Sequence, residues 1–384
     1  MLWRCRLAGR RLSRFVDVRA HRWVHSVRCH GGRGFSGTRR RPPCPEAAEY
    51  ARKAYDLREK VSERERFGIE GFYYLSVTGE LEKAAQTYEL WQQTYPRNYA
   101  PYGNLGVISF ILGNFEKMLS EYSEALRLEP NNVVNYANLG SAYQALNKFD
   151  EAEAVYKQAE ERKLENELLL VGRYLLAFLK SDTAQMERLV SAAMRKPGTE
   201  YVLLVNQAET QAWHGSLKNA RELTRRAMDS AEHNDAKETA ALYQAESALR
   251  EVEVGNAEQA RAEANAALRL APTRDVKAIA ALALALAGDT AGAEKLATEL
   301  EKTFPLDTLV QRYWLPTIRA AVAMERKDPN RAVELLKETS TIELGTIFEL
   351  CEREIYDCMR KAHLVMVEEK PYFSVPSKLS YTSE

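Results

Sequence analysis

The residues whose type and spacing best suit chemistry are three asparagines, Asn104, Asn138 and Asn206, which recur at multiples of 34 residues. An asparagine amide carries both a donor and an acceptor. It therefore matches a peptide bond whatever the side chain attached, and a row of such amides suits the backbone of an extended segment. The row is interrupted by Gly172 and followed by Glu246 at equivalent places. Asparagine there also serves local turns, and both readings stand at this level. Tyr73, Ser141 and Gln144 are grouped with the three as expected partner contacts. Catalysis finds less to work with. His214 follows Trp213 just before Gly215, and His233 ends a helical stretch, but neither has a nucleophile and carboxylate in a recognisable motif. Both read as helix-terminal surface histidines. His21, His25, Cys29 and His30 are spaced about a helical turn apart, without zinc-finger spacing. The expectation is a non-enzymatic chain with no catalytic residue, cofactor or metal.

The elements that must position these residues announce themselves by an echo. Tyr102-Gly-Asn-Leu-Gly106 returns 34 residues later as Tyr136-Ala-Asn-Leu-Gly140, and Tyr122 with Ala125 returns as Tyr156 with Ala159. A fixed period of this length marks a helix–turn–helix array, in which no single repeat buries its apolar face alone. Carried outward, the frame predicts an all-α, right-handed α–α superhelix of about eight repeats within residues 45–346. They fall near 65–98, 99–132, 133–166, 167–200, 201–234, 241–274, 275–307 and 313–346. Gly79, Gly113, Gly215, Gly255 and Gly288 mark inter-helix turns, and Pro96, Pro130, Pro272 and Pro305 end second helices. Ala47, Ala51 and Ala54 have the spacing of a second helix without its first, an orphan half-repeat. Six extra residues after 234 predict a lengthened helix or loop.

Charge divides the chain. Twelve arginines, no lysine and one acid (Asp17) fall in residues 1–44, leaving 42 basic and 53 acidic residues in the rest. The Arg-rich, acid-poor segment resembles a mitochondrial presequence; a basic tail or non-native translation are the competing readings. Cys5, Cys29, Cys44, Cys351 and Cys358 all lie outside the periodic region, and their odd number fits a reducing compartment. The expected location is cytoplasmic, or mitochondrial if residues 1–44 are a genuine presequence. No apolar run approaches the roughly 18–20 residues that span a bilayer. The basic segment can attract phosphate nonspecifically, but the acidic remainder opposes this, so no specific nucleic acid is expected. Residues 347–384 predict a capping helix followed by a Pro/Ser/Tyr-rich tail.

The clearest three repeats resemble the tetratricopeptide family, through large–x2–Leu–Gly–x2–Tyr followed by Ala–x3–aromatic–x2–Ala and proline. Arg58-Glu-Lys-Val-Ser-Glu-Arg-Glu-Arg-Phe67, Val77-Thr-Gly-Glu-Leu-Glu-Lys-Ala84, Tyr88-Glu-Leu-Trp91 and Phe304-Pro-Leu-Asp-Thr308 add a narrower likeness. Over about 46–346 the text resembles the C-terminal repeat half of bacterial, acidobacterial-type serine/threonine kinases. That likeness implies a detached regulatory module as the alternative to a general scaffold. The kinase signatures themselves (a Gly-rich loop with Val-Ala-Ile-Lys, His-Arg-Asp and Asp-Phe-Gly) do not occur in the sequence. Similar superhelices, such as the repeat half of O-linked N-acetylglucosamine transferases, use an asparagine ladder at the place of Asn104, Asn138 and Asn206. A chaperone-type carboxylate clamp is not matched: its positions hold Ile69, Tyr73, Asn104, Val134 and Asn138, of which one fits. The resemblance implies a protein or peptide partner held in a concave groove.

Overall fold

A computed structural model describes residues 45–194, 200–337, 339 and 342 of the 384-residue chain. The expected segments 1–44 and 347–384 lie outside the described residues. Among those described, the chain is helical with no strand. A leading helix, α1 (Pro45–Asp56), and a single 3-10 turn at Arg58–Lys60 precede a series of helix pairs. The pairs are α2 (Glu63–Tyr73) with α3 (Leu81–Thr94), α4 (Tyr99–Ile111) with α5 (Phe115–Leu128), and α6 (Val133–Ala145) with α7 (Phe149–Glu161). Next come α8 (Glu167–Leu179) with α9 (Thr183–Ala193), α10 (Glu200–Trp213) with α11 (Leu217–His233), and α12 (Lys237–Glu253) with α13 (Ala257–Leu270). The last are α14 (Arg274–Leu286) with α15 (Thr290–Thr303) and α16 (Leu315–Glu325) with α17 (Pro329–Leu336). The extra residues after 234 lengthen helices: α11 and α12 have 17 residues each.

The repeat is enforced by backbone geometry at each turn. The first helix of every pair ends on a left-handed residue, in order Gly79, Gly113, Asn147, Ser181, Gly215, Gly255, Gly288 and Lys327, with φ from 57° to 85°. From Gly113 onward, the next N–H returns to a carbonyl five residues back, as in Asn114 to Ser109 (2.8 Å) and Lys148 to Tyr143 (2.8 Å). This satisfies orphan carbonyls at the helix end and reverses the chain. A second 34-residue series caps the helices that follow. The side chains of Asn98, Asn132 and Asn166 accept from the N–H groups of Ala100, Val134 and Leu169 at 3.1, 3.1 and 2.7 Å.

Side-chain packing then fixes how closely the helices of a pair approach. Tyr88, Tyr122 and Tyr156 on second helices press onto Gly71, Gly106 and Gly140 on first helices. A Cβ at those glycines would lie 2.5, 2.3 and 2.1 Å from the facing ring. All three tyrosines are buried, as are the small residues Ala220, Ala264 and Ala297 on later second helices. The apolar core runs through the stack in three successive clusters, from Phe67 to Leu176, from Val171 to Tyr243, and from Ala241 to Ile342.

The array also returns on itself. The Thr308 N–H donates to the Gly79 carbonyl (3.0 Å), and the Leu81 N–H donates to Thr308 Oγ1 (3.1 Å). Arg312 pairs with Glu82 at 2.7 Å. Leu309 packs against the first cluster, and Leu112 lies against the last as well as the first. The turn of the first pair is thus docked beside the start of the last.

Replacing Gly106 or Gly140 with Ala is expected to destabilise the array by about 2–3 kcal/mol, because a buried tyrosine ring cannot retreat. Gly103, on the same helix as Gly106, has open space at its Cβ position, so Gly103→Ala should raise stability by up to about 1 kcal/mol. Urea unfolding followed by circular dichroism separates the two; equal shifts would remove the ring-on-glycine contact as the spacing device.

Candidate functional site

Which helices line the inner face follows from how they touch. At four junctions a first helix packs directly on the next first helix, α6 on α8, α8 on α10, α12 on α14 and α14 on α16, whereas no two second helices pack to a comparable extent. Elements closer together lie on the shorter arc of a curved stack. The first helices therefore form the inner layer and the second helices the outer one.

The predicted asparagines all sit on first helices, yet they are not equivalent. Asn104 is 4% exposed and its Nδ2 donates to the Ala100 carbonyl at 2.8 Å. Asn206 is half-buried and back-bonded in the same way, to Val202 at 2.7 Å. Asn138 is half-buried and makes no side-chain hydrogen bond among the described residues. Ser141, half-buried, donates to the Ala137 carbonyl at 3.0 Å. Tyr73 stacks on Tyr55 of α1, with ring centroids 4.0 Å apart, so the leading helix already covers one of its faces. Gln144 departs from the expectation. It is 7% exposed, and its amide donates to Tyr156 Oη (2.7 Å) and to the Gly172 carbonyl (2.9 Å). It fastens one repeat to the next, because a buried amide must satisfy its donors within the protein.

A second group on the same layer was anticipated only at Asn206 and Glu246. On α10, Asn206, Glu209 and Trp213 lie one above another at helical spacing, and on α12 so do Glu246, Arg250 and Glu253. Arg250 joins the two helices: Nη1 meets Glu209 at 2.9 Å, while Nη2 donates to Thr224 (2.8 Å) and Ser247 (3.0 Å). Beside it Arg221 grips the deeply buried Glu251 through two hydrogen bonds of 2.7 Å. Those bonds hold the Glu251 carboxyl below its usual range against the opposing effect of burial. Glu253 goes the other way. Burial first, then the charge of Glu209, push it up to about 7, with Arg250 opposing. Trp213, 40% exposed, stands edge-on to Phe178 with ring centroids 6.4 Å apart. The signal for this group was the 34-residue frame itself, which points at Glu246 and, through helical spacing, at Arg250 and Glu253.

His214 lies against Phe178, and His233 Nδ1 is 2.6 Å from the Asp229 carbonyl; both are exposed at helix ends. Among the described residues no three metal-ligating side chains gather, and no helix is long and apolar enough to cross a membrane.

Tetratricopeptide-repeat family models match residues 99–132 and 121–154, so the chain carries tetratricopeptide repeats there. No curated protein sequence matches. Among solved structures, the chain is similar to one from the APC/C hetero-tetramer Cut9-Hcn1, at 14% identity and a TM-score of 0.40, over 82% of this chain and 58% of that one. It therefore spans less than two thirds of that relative. Human IFIT1, in a dimer with m7Gppp-AAAA, is similar at 16% identity and a TM-score of 0.44, over 77% of each chain. A tetratricopeptide repeat protein from Parabacteroides merdae gives 19% and 0.35, over 77% of this chain and 98% of that one. The likeness to kinase-linked repeats gains no support from these matches.

The Glu253 environment predicts a pH dependence with a definite sign. Its pKa is raised in the folded state, so its contribution to stability is fully present below the unfolded carboxyl value near 4.5. That contribution is lost as pH rises through about 7. Glu253→Gln should therefore leave stability unchanged near the lower value and raise it above pH 7. Protein crowds around the Glu253 carboxyl, yet the residue keeps an exposed surface, so solvent screening holds the gain to no more than about 1 kcal/mol. Thermal melts of both proteins across this range check it; an equal effect at every pH would refute the assignment.

Proposed function

We propose that the chain is a non-enzymatic protein-interaction scaffold whose inner face holds an extended or helical segment of a partner protein. The observation that carries the reading is the packing of first helix on first helix, which brings Asn138, Ser141, Asn206, Glu209 and Trp213 to one layer. Asparagine and serine offer hydrogen bonds that suit a peptide backbone, and a part-exposed tryptophan backed by Phe178 supplies a rigid apolar anchor. The tetratricopeptide repeats of residues 99–154 support the same reading, since such arrays present surfaces for proteins. Asn104 and Gln144 belong to the framework beneath that surface. Under this reading the chain works in the cytoplasm.

The test is capture by the tagged full-length chain, with bound proteins identified by mass spectrometry and then titrated singly. Asn138→Ala combined with Asn206→Ala should weaken binding about tenfold, at one to two hydrogen bonds lost. Trp213→Ala should weaken it about thirtyfold. Circular dichroism should be unchanged in both. Partners that bind both variants as tightly as the parent would refute the inner-face reading.

A further inference from the structure

The closing contact differs in kind from every junction inside the stack. Successive repeats are joined by helices packed along helices, but no helix packs along another across the seam between the first pair and the last. The seam includes two hydrogen bonds between Gly79–Leu81 and Thr308, an exposed ion pair between Glu82 and Arg312, and the part-buried leucines Leu112 and Leu309.

The receiving side is built in advance. Asp307 is 2% exposed and held by Arg274 Nη1 at 2.6 Å. Its other carboxylate oxygen accepts from the Val310 N–H at 2.9 Å, which begins the next helical stretch. Gly79 fits against this carboxylate so closely that a Cβ would lie 2.1 Å from Asp307 Oδ2. Gly215 and Gly255, equivalent turn glycines, have nothing within 4 Å of that position. Gly79 is thus required twice, by its own turn and by a segment more than 220 residues away. Both edges of the seam are also irregular. The described helices contain two wide π-helical turns, Tyr74–Thr78 and Val310–Trp314; one ends at Gly79 and the other begins just after Thr308. Such turns recur where a helix must change its course.

We propose that this seam is a releasable latch, and that its opening uncoils the array and exposes the inner face for loading. The proposal rests on the reading of that face as the partner surface. Opening leaves every repeat in contact with its neighbours, since each junction is independent of the seam. No helix-on-helix interface is lost on opening, because none is formed across the seam. A small rotation at each junction then adds along the stack and separates the ends.

The test uses the full-length chain with its five cysteines replaced by serine, and a donor–acceptor dye pair at Gln86 and Leu306, both exposed on opposite sides of the seam. Single-molecule energy transfer should show a major high-transfer state and a minor low-transfer state, the minor one growing as salt rises from about 0.05 to 0.5 M. Gly79→Ala should make the low-transfer state dominant. Gly215→Ala bears the same left-handed backbone penalty away from the seam and should leave the distribution as in the parent. Arg312→Glu should raise the open-to-closed ratio about fivefold, and adding Glu82→Arg should restore it. A single high-transfer state in the parent at every salt concentration, retained in folded Gly79→Ala, would overturn the latch. No partner enters this measurement. A latch that works in a chain whose capture ignores the inner-face substitutions would refute the scaffold reading alone, and a permanent seam with intact capture would refute only the latch.

Discussion

A tyrosine ring laid on a glycine backbone sets the geometry from which the rest of the molecule follows. At Tyr88 on Gly71, Tyr122 on Gly106 and Tyr156 on Gly140, the ring occupies the space a Cβ would need, so the paired helices settle at a distance no other residue allows. The spacing within a pair then determines how the next pair can rest on it. In three later repeats the same place is held by the smaller Thr224, Ala264 and Ala297, and the inner helices change character with it. In α14 the run Ala278 to Ala285 is buried residue after residue, because the helix is enclosed by α12, α16 and its own partner α15. A helix that is apolar on every side is one that has lost contact with water on every side.

Much of this was legible from spacing alone. The period of the early repeats is carried by side chains that pack, and those side chains announce it. It survives in the backbone as well, even at turns where glycine is missing. Asn147, Ser181 and Lys327 hold the left-handed turn that glycine holds elsewhere. A side chain tolerated there at a modest cost hides the repeat from anyone reading glycines. The asparagines show the opposite difficulty. Two series share the period, and one of them, Asn98, Asn132 and Asn166, caps helices. Within the other, Asn104 is turned into its own helix while Asn138 keeps its amide available. Spacing places a residue on a helix face, but exposure depends on neighbours that differ from repeat to repeat.

Gln144 and the seam were not legible, for a shared physical reason. Gln144 reaches across to Tyr156 and Gly172, and Thr308 meets Gly79 across most of the chain's length. Periodicity records contacts that recur from repeat to repeat, and neither the Gln144 bridge between adjacent repeats nor the seam recurs anywhere else in the stack. The ionic group around Arg250 is intermediate. Its members follow helical spacing, but the partners that make a buried guanidinium tolerable, Glu209, Thr224 and Ser247, come from three helices.

Closure has a consequence for how such a chain can change over generations. An open stack can gain or lose a unit in its middle, since the flanking units simply meet each other. Here the turn at Gly79 reaches Thr308 only after a set number of intervening pairs, each contributing its own angle. Deleting one pair would leave every local interface satisfied and still carry the two edges past each other. The number of units is therefore a property of the whole molecule, as tooth count is of a gear, and the lengthened α11 and α12 become part of that count rather than an ornament upon it.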